Sequence, residues 1–153
     1  MSDIKDIWVY ANNIIRSSRQ MVNEGLKPLG LSSAEGNILL HLLTQDLKLR
    51  QEDLVAQLDI SKPAVSRALE SLESKGYVSR EKDPEDRRVS RVTLTGKARD
   101  IGSQVEEAYN RVFSVATHLV SEGEVRDFIE LFGRVSHSFT AARANKEDEG
   151  GQG

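Results

Sequence analysis

Two clusters of basic and small polar side chains carry the chemistry this sequence can do. The first is Ser61-Lys62-Pro63-Ala64-Val65-Ser66-Arg67. The second is Lys82-Asp83-Pro84-Glu85-Asp86-Arg87-Arg88, with Arg91 shortly after it. Hydroxyl, ammonium and guanidinium groups at these spacings can donate to phosphate oxygens and to the acceptor edges of bases. They do not assemble a nucleophile. The absence of cysteine removes disulfides, thiolate catalysis, cysteine redox sensing and cysteine-ligated zinc together. No glycine-rich phosphate loop and no Gly-x-Ser-x-Gly occurs, and the carboxylates fall at helix starts and solvent faces. Neither an enzyme nor a cofactor is expected. His41, His118 and His137 are far apart in sequence and form no His-x-x-x-His pair, so no metal site is expected either.

The net charge of the 153 residues is −3, which by itself argues weakly against nucleic acid. Its distribution is more informative: residues 61–99 balance at +4 and the remainder at −7. A basic segment on an acidic body attracts phosphate at one face and repels it elsewhere. A merely solvated charged hairpin would show the same balance, so charge alone leaves both readings open. No run approaches the roughly 18 apolar residues of a membrane span. The amino terminus lacks the layout of a secretory signal, so a cytoplasmic location is the expectation.

The elements that must position these clusters follow from periodicity. Ile4, Ile7, Trp8, Ala11, Ile14 and Ile15 recur as on an amphipathic helix reaching about Leu26, closed by Gly25, Pro28 and Gly30. Ser32 with Glu35 forms a capping box for a second helix, buried through Ile38, Leu39, Leu42 and Leu43. Residues 44–48 read as a connection, and Gln51 to Leu58 as a short helix. Ser61 is placed to cap a fourth helix, where Pro63 loses no needed hydrogen bond, and Gly76 to end it in the left-handed conformation. Residues 77–81 and 89–94 alternate as half-buried strands. Thr95 then caps a helix striped by Ile101, Val105, Ala108, Val112, Ala116 and Leu119. Ser121 and Glu124 box the last helix, which carries Phe128, Ile129, Phe132, Val135 and Phe139. Residues 146–153 are polar and glycine-rich, and are expected to be disordered.

The expected fold class is therefore mainly α with a small β-wing, a winged helix-turn-helix flanked by N- and C-terminal dimerisation helices. Its division is 31–95 for the winged domain, 1–30 with 96–145 for the helical dimerisation region, and 146–153 for the tail. The terminal helices carry more apolar stripe than one small core can use, which points to a homodimer.

In this order and spacing the chain resembles the MarR family (multiple antibiotic resistance regulators) over roughly residues 4–144. The resemblance rests on Asp86 and Arg88 followed by Leu94-Thr95, and on Ser61, Ala64, Val65, Ser66, Arg67, Leu69 and Leu72-Glu73-x-x-Gly76. It implies a dimeric transcriptional regulator on a pseudo-palindromic duplex operator, a repressor relieved by a small anionic or phenolic ligand. The helix over 61–75 would enter the major groove and the wing over 82–90 the minor groove. Ser61, Lys62, Ala64, Ser66, Arg67, Arg87, Arg88 and Arg91 become candidate DNA contacts, with Asp86 supporting the wing. Arg16 and His41 lie in regions that line the effector site in relatives and become candidate effector contacts. The rival expectation, favoured by the acidic body, is a winged-helix protein-interaction module without DNA binding.

Overall fold

The computed structural model describes residues 2–45 and 48–150, with side chains described over 3–45 and 48–146. Its elements run α1 (Ser2–Leu26), a 3-10 turn (Lys27–Leu29), α2 (Ser33–Gln45), β1 (Leu49–Arg50), α3 (Gln51–Leu58), α4 (Lys62–Ser74), β2 (Val78–Lys82), β3 (Ser90–Leu94), α5 (Gly96–Asp100), α6 (Gly102–Ala116) and α7 (Glu122–Gly150). The chain divides into two compact units, residues 1–113 and 114–153.

In the first unit the core is aliphatic. Leu26, Ile38, Leu39, Leu42, Leu54, Val65, Leu69, Leu72, Val92 and Val105 are fully buried, drawn from α1, α2, α3, α4, β3 and α6. Leu26 and Val105 thus belong to the same core as α4. The first compact unit takes in α1 and most of α6 together with the expected winged domain over 31–95. Gly25 lies inside α1 and does not terminate it. A Cβ there would stand 2.8 Å from the Ala108 Cβ of α6, so the glycine permits a close helix crossing. The turn away from α1 is made at Gly30, with φ +66.

The sheet has three strands in the order β1-β3-β2. The hairpin pairs Val78 with Leu94 through Lys82 with Ser90, antiparallel. Leu49 and Arg50 add a third strand on the far side of β3, opposite Val92 and Arg91. Sequence periodicity shows only the hairpin, because two residues are too few to alternate visibly. The pairing that makes them a strand comes from across the chain. Leu49, Val78 and Val92 are buried on one face, while Ser79 and Thr93 join hydroxyls at 2.8 Å on the other.

The local signals sit where expected. Ser32 and Glu35 exchange capping bonds, Ser32 N–H to Glu35 Oε2 at 2.7 Å and Glu35 N–H to Ser32 Oγ at 3.2 Å. Thr95 Oγ1 accepts from Ala98 N–H, but the helix it starts is short: α5 stops at Asp100 and α6 begins at Gly102. The stripe expected to run unbroken across this break is buried only at its start, with Val105 and Ala108 inside and Leu119 exposed.

In the second unit Ser121 N–H donates to Glu124 Oε2 at 2.8 Å, and Glu124 N–H to Ser121 Oγ at 3.3 Å, opening α7. Helix α7 continues to Gly150, so residues 146–150 extend the helix instead of forming the expected disordered tail. Lysine and glutamate in this stretch are good helix formers that extend an existing helix without a new nucleation cost. Residues 151–153 lie outside the described residues, as do Asp46 and Leu47 of the expected connection.

Candidate nucleic-acid interface

The turn from α3 to α4 is set by Asp59, whose φ of +50 is left-handed, and by Ser61, whose Oγ accepts from Ala64 N–H at 3.4 Å. Pro63 occupies the first turn of α4. Val65, Ala68, Leu69 and Leu72 anchor one side of the helix in the core. The 3.6-residue period then leaves Ser61, Lys62, Arg67 and Glu70 exposed, with Ala64 and Ser66 half-buried beside them. At the far end Gly76, φ +79, lets Tyr77 N–H reach back to the Leu72 carbonyl at 2.9 Å. Glu73 joins α4 to β2 by accepting from Arg80 Nε and Nη2 at 3.0 and 2.7 Å. That bond with Arg80 holds the Glu73 carboxyl below the usual carboxylate range.

The wing is braced by two aspartates in succession. Asp83, 1 % exposed, accepts from Glu85 N–H at 2.9 Å and from Arg91 Nε at 2.8 Å, with Arg50 Nη2 at 3.8 Å. The Glu85 amide and the Arg91 guanidinium keep its carboxyl below the usual range, against the opposing effect of desolvation. Asp86 then accepts from Arg88 N–H at 3.0 Å and Arg88 Nε at 3.4 Å. Arg88 itself is 93 % exposed at the tip, next to exposed Arg87.

Arg91, taken from sequence as a DNA contact, is half-buried and committed to Asp83. It acts as a strut of the wing. Asp83, taken only as the start of a turn, is the residue that ties β1, β2 and β3 together at the wing base. Its partners lie 8 and 33 positions away, and only the final carboxylate of the Asp-Pro start hinted at a role. Gln51, Glu52, Val55, Lys62, Arg88, Val89 and Ser90 border one cleft of about 410 Å³, which brings the start of α4 beside the wing.

The candidate effector residues are not brought together. Arg16 borders a groove of about 730 Å³ along α1 with Asn12, Ile15, Arg19, Gln20, Asn23, Glu24 and Lys27. His41 is hydrogen-bonded through Nε2 to Gln57 of α3 and does not line that groove. Among the described residues no group of three or more potential ligands could hold a metal ion. Among the described residues no helix is long and apolar enough to cross a membrane.

Residues 29–89 match the model of the MarR family. A MarR transcriptional regulator from Methanosarcina mazei Go1 superposes with a TM-score of 0.79 at 22% identity, covering 90% of this chain and 98% of its own. A mutant MarR from E. coli complexed with operator DNA gives 0.74 at 24%, covering 87% and 95%. A MarR family regulator from Listeria monocytogenes complexed with a 26mer DNA gives 0.77 at 21%, covering 88% and 87%.

Proposed function

From the match of residues 29–89 to the MarR family model and the shared winged-helix fold, we propose that the chain is a dimeric, sequence-specific DNA-binding transcriptional regulator of that family. The observation that carries this reading is the combination of Lys62 and Arg67 exposed on the outer face of a helix anchored in the core by Val65, Ala68, Leu69 and Leu72 with Arg88 standing out from a wing braced by buried Asp83. α4 enters the major groove, where Arg67 addresses a guanine edge and Ser61 and Lys62 hold phosphates. Ser66 and the small Ala64 allow close approach to the bases. The wing tip reaches the adjacent minor groove, whose narrow width concentrates negative potential around one guanidinium. Arg87 serves the phosphates beside it. Proteins of the same fold are complexed with operator DNA and with a 26mer DNA, which supports the assignment.

The apolar residues left exposed on α1 and α7 support homodimerisation, and a two-fold pair of reading helices calls for a pseudo-palindromic site. A repressor relieved by a small anionic or phenolic ligand is the finer form of the proposal, with Arg16 and its groove on α1 as the site of capture. His41, held by Gln57, is a weaker partner in that role. A cytoplasmic setting follows from contact with DNA.

Selection from a randomised duplex pool, followed by titration at several salt concentrations, tests the proposal. Binding should be sequence-dependent and fall steeply with salt, the slope approaching −0.9 per phosphate neutralised. Absent or salt-insensitive binding would instead favour the protein-interaction module.

A further inference from the structure

Besides Asp83, Glu35 is the one charged side chain buried among the described residues, at 3 % exposed, and the DNA face just described makes no use of it. Its carboxylate accepts from Lys75 Nζ at 2.9 Å on one oxygen and 3.0 Å on the other. The same ammonium donates to the Gly30 carbonyl at 2.8 Å. Lys75 is the residue that closes α4, and its own carbonyl accepts from Lys97 Nζ at 2.6 Å. Gly30 and Ser32 form the junction between the end of α1 and the start of α2, and Glu35 is already fixed there by the Ser32 N–H. The C-terminal end of the reading helix is thus bolted to the point where α1 turns into α2.

Burial alone would raise the Glu35 pKa. Hydrogen bonds from Lys75, Ser71 and the Ser32 amide outweigh it and leave the Glu35 carboxyl below its usual range, so Glu35 is a carboxylate at neutral pH. A buried ion pair is a poor stabiliser compared with apolar packing of the same volume, but its geometry is exacting. The helix it holds is about 20 Å long, so a tilt of about 5° at the pinned end moves the Ser61 end by about 1.7 Å. That displacement exceeds the tolerance of a hydrogen bond.

We propose that Glu35 and Lys75 are positioning residues that set the angle of α4 from the α1–α2 junction, and thereby the half-site spacing the protein accepts, without either touching DNA. The inference rests on the DNA-binding reading above. It places the setting of operator geometry on a link between the reading helix and α1, not on the base-contacting residues themselves.

The test uses the full chain and an operator selected from random duplex. Affinity is measured on that operator and on versions with one base pair added to or removed from the spacer. The wild type should lose about tenfold on either altered spacer, the cost of a disrupted base contact. Lys75→Met and Glu35→Gln should each lose about tenfold on the selected operator while discriminating among spacers less than threefold. The double variant should be no weaker than the weaker single, Lys75→Arg should retain most of the discrimination, and the salt slope should stay unchanged throughout.

The inference is overturned if both variants keep wild-type affinity and spacing preference, or if all spacers weaken equally. It is also overturned if Lys75→Met lowers the salt slope by about one phosphate while Glu35→Gln binds normally, since Lys75 would then be a phosphate contact. Should Lys75→Met be unfolded by circular dichroism, Glu35→Gln, which keeps an acceptor for Ser32, carries the test alone. A wild type that selects no duplex removes the DNA-binding reading and this inference with it, whereas unmoved variants of a binding wild type remove only the inference.

Discussion

Helix α4 and helix α7 are both built on an apolar period, yet they dispose of it in opposite ways. In α4 the stripe of Val65, Ala68, Leu69 and Leu72 is buried within the chain and the surface left over is charged. In α7 the stripe is the surface: Phe128, Ile129, Phe132 and Phe139 are all more than half exposed, with Phe128 and Phe132 stacked at 5.1 Å. The amino-terminal half of α1 resembles α7, with Ile7 at 66 % and Trp8 at 72 % exposed. A contiguous apolar surface of that kind marks a protein partner, and charge on a rigid helix marks a solvated or phosphate-facing one. One periodicity therefore specifies a buried core in one region and an exposed apolar face in the other.

This contrast can be broken by substitution. The largest effect belongs to Leu69→Ala, which opens a cavity in the buried region and should cost about 2–5 kcal/mol in denaturant unfolding. A cost below 1 kcal/mol would mean that α4 is not packed as described. Phe132→Glu on the exposed stripe should leave the helical circular dichroism in place and raise the dimer dissociation constant roughly 30-fold or more, as for loss of an interface hot spot. Sedimentation that still shows a dimer would remove α7 from the interface. Arg88→Ala should weaken operator binding by about 1–3 kcal/mol, while unfolding free energy moves by less than about 0.5 kcal/mol.

A smaller difference lies in pH. Glu35, Glu73, Asp83 and Glu124 all have lowered pKa values in the folded chain. The unfolded chain then binds more protons at low pH, so the stability they contribute is present in full above the unfolded carboxylate range near ~4 and is lost as pH falls through the lowered values. Melting temperature should be flat near neutrality and fall below about pH 4. Glu35→Gln should reduce the steepness of that fall. The smallest effect is Asp59→Gly, which relieves a left-handed φ at the cost of a freer unfolded chain and should change stability by less than about 1 kcal/mol.

What was legible in the sequence was local. Ser32 with Glu35, Ser61, Gly76, Thr95 and Ser121 with Glu124 act within a few residues of their own position, so residue type and spacing suffice to place the helix ends. Tertiary links were not legible. Glu35 was visible as half of a capping box, but its bond to Lys75 spans 40 positions. Arg91 and Asp83 read as two charges on a basic hairpin until the fold buried one and tied the other to it. Gly25 looked like a stop signal because glycine often is one, and only the crossing with Ala108 shows its other use. The exposed cations Lys62 and Arg67 are readable because the helical period that buries Val65, Ala68 and Leu69 leaves them outside, and Arg87 and Arg88 because they follow the Asp-Pro turn between two strands.

The short strand β1 has a consequence for how the surface is lost and regained. Its pairing of Leu49 with Val92 and Arg50 with Arg91 closes a loop that contains α3, α4 and the whole wing. None of these elements can come away from the body independently while that pairing holds. Their amides should therefore exchange with solvent together, through one sub-global opening and not by piecemeal fraying. The two-residue strand acts as a clasp, and a protein that opens it gives up both of its grips at once.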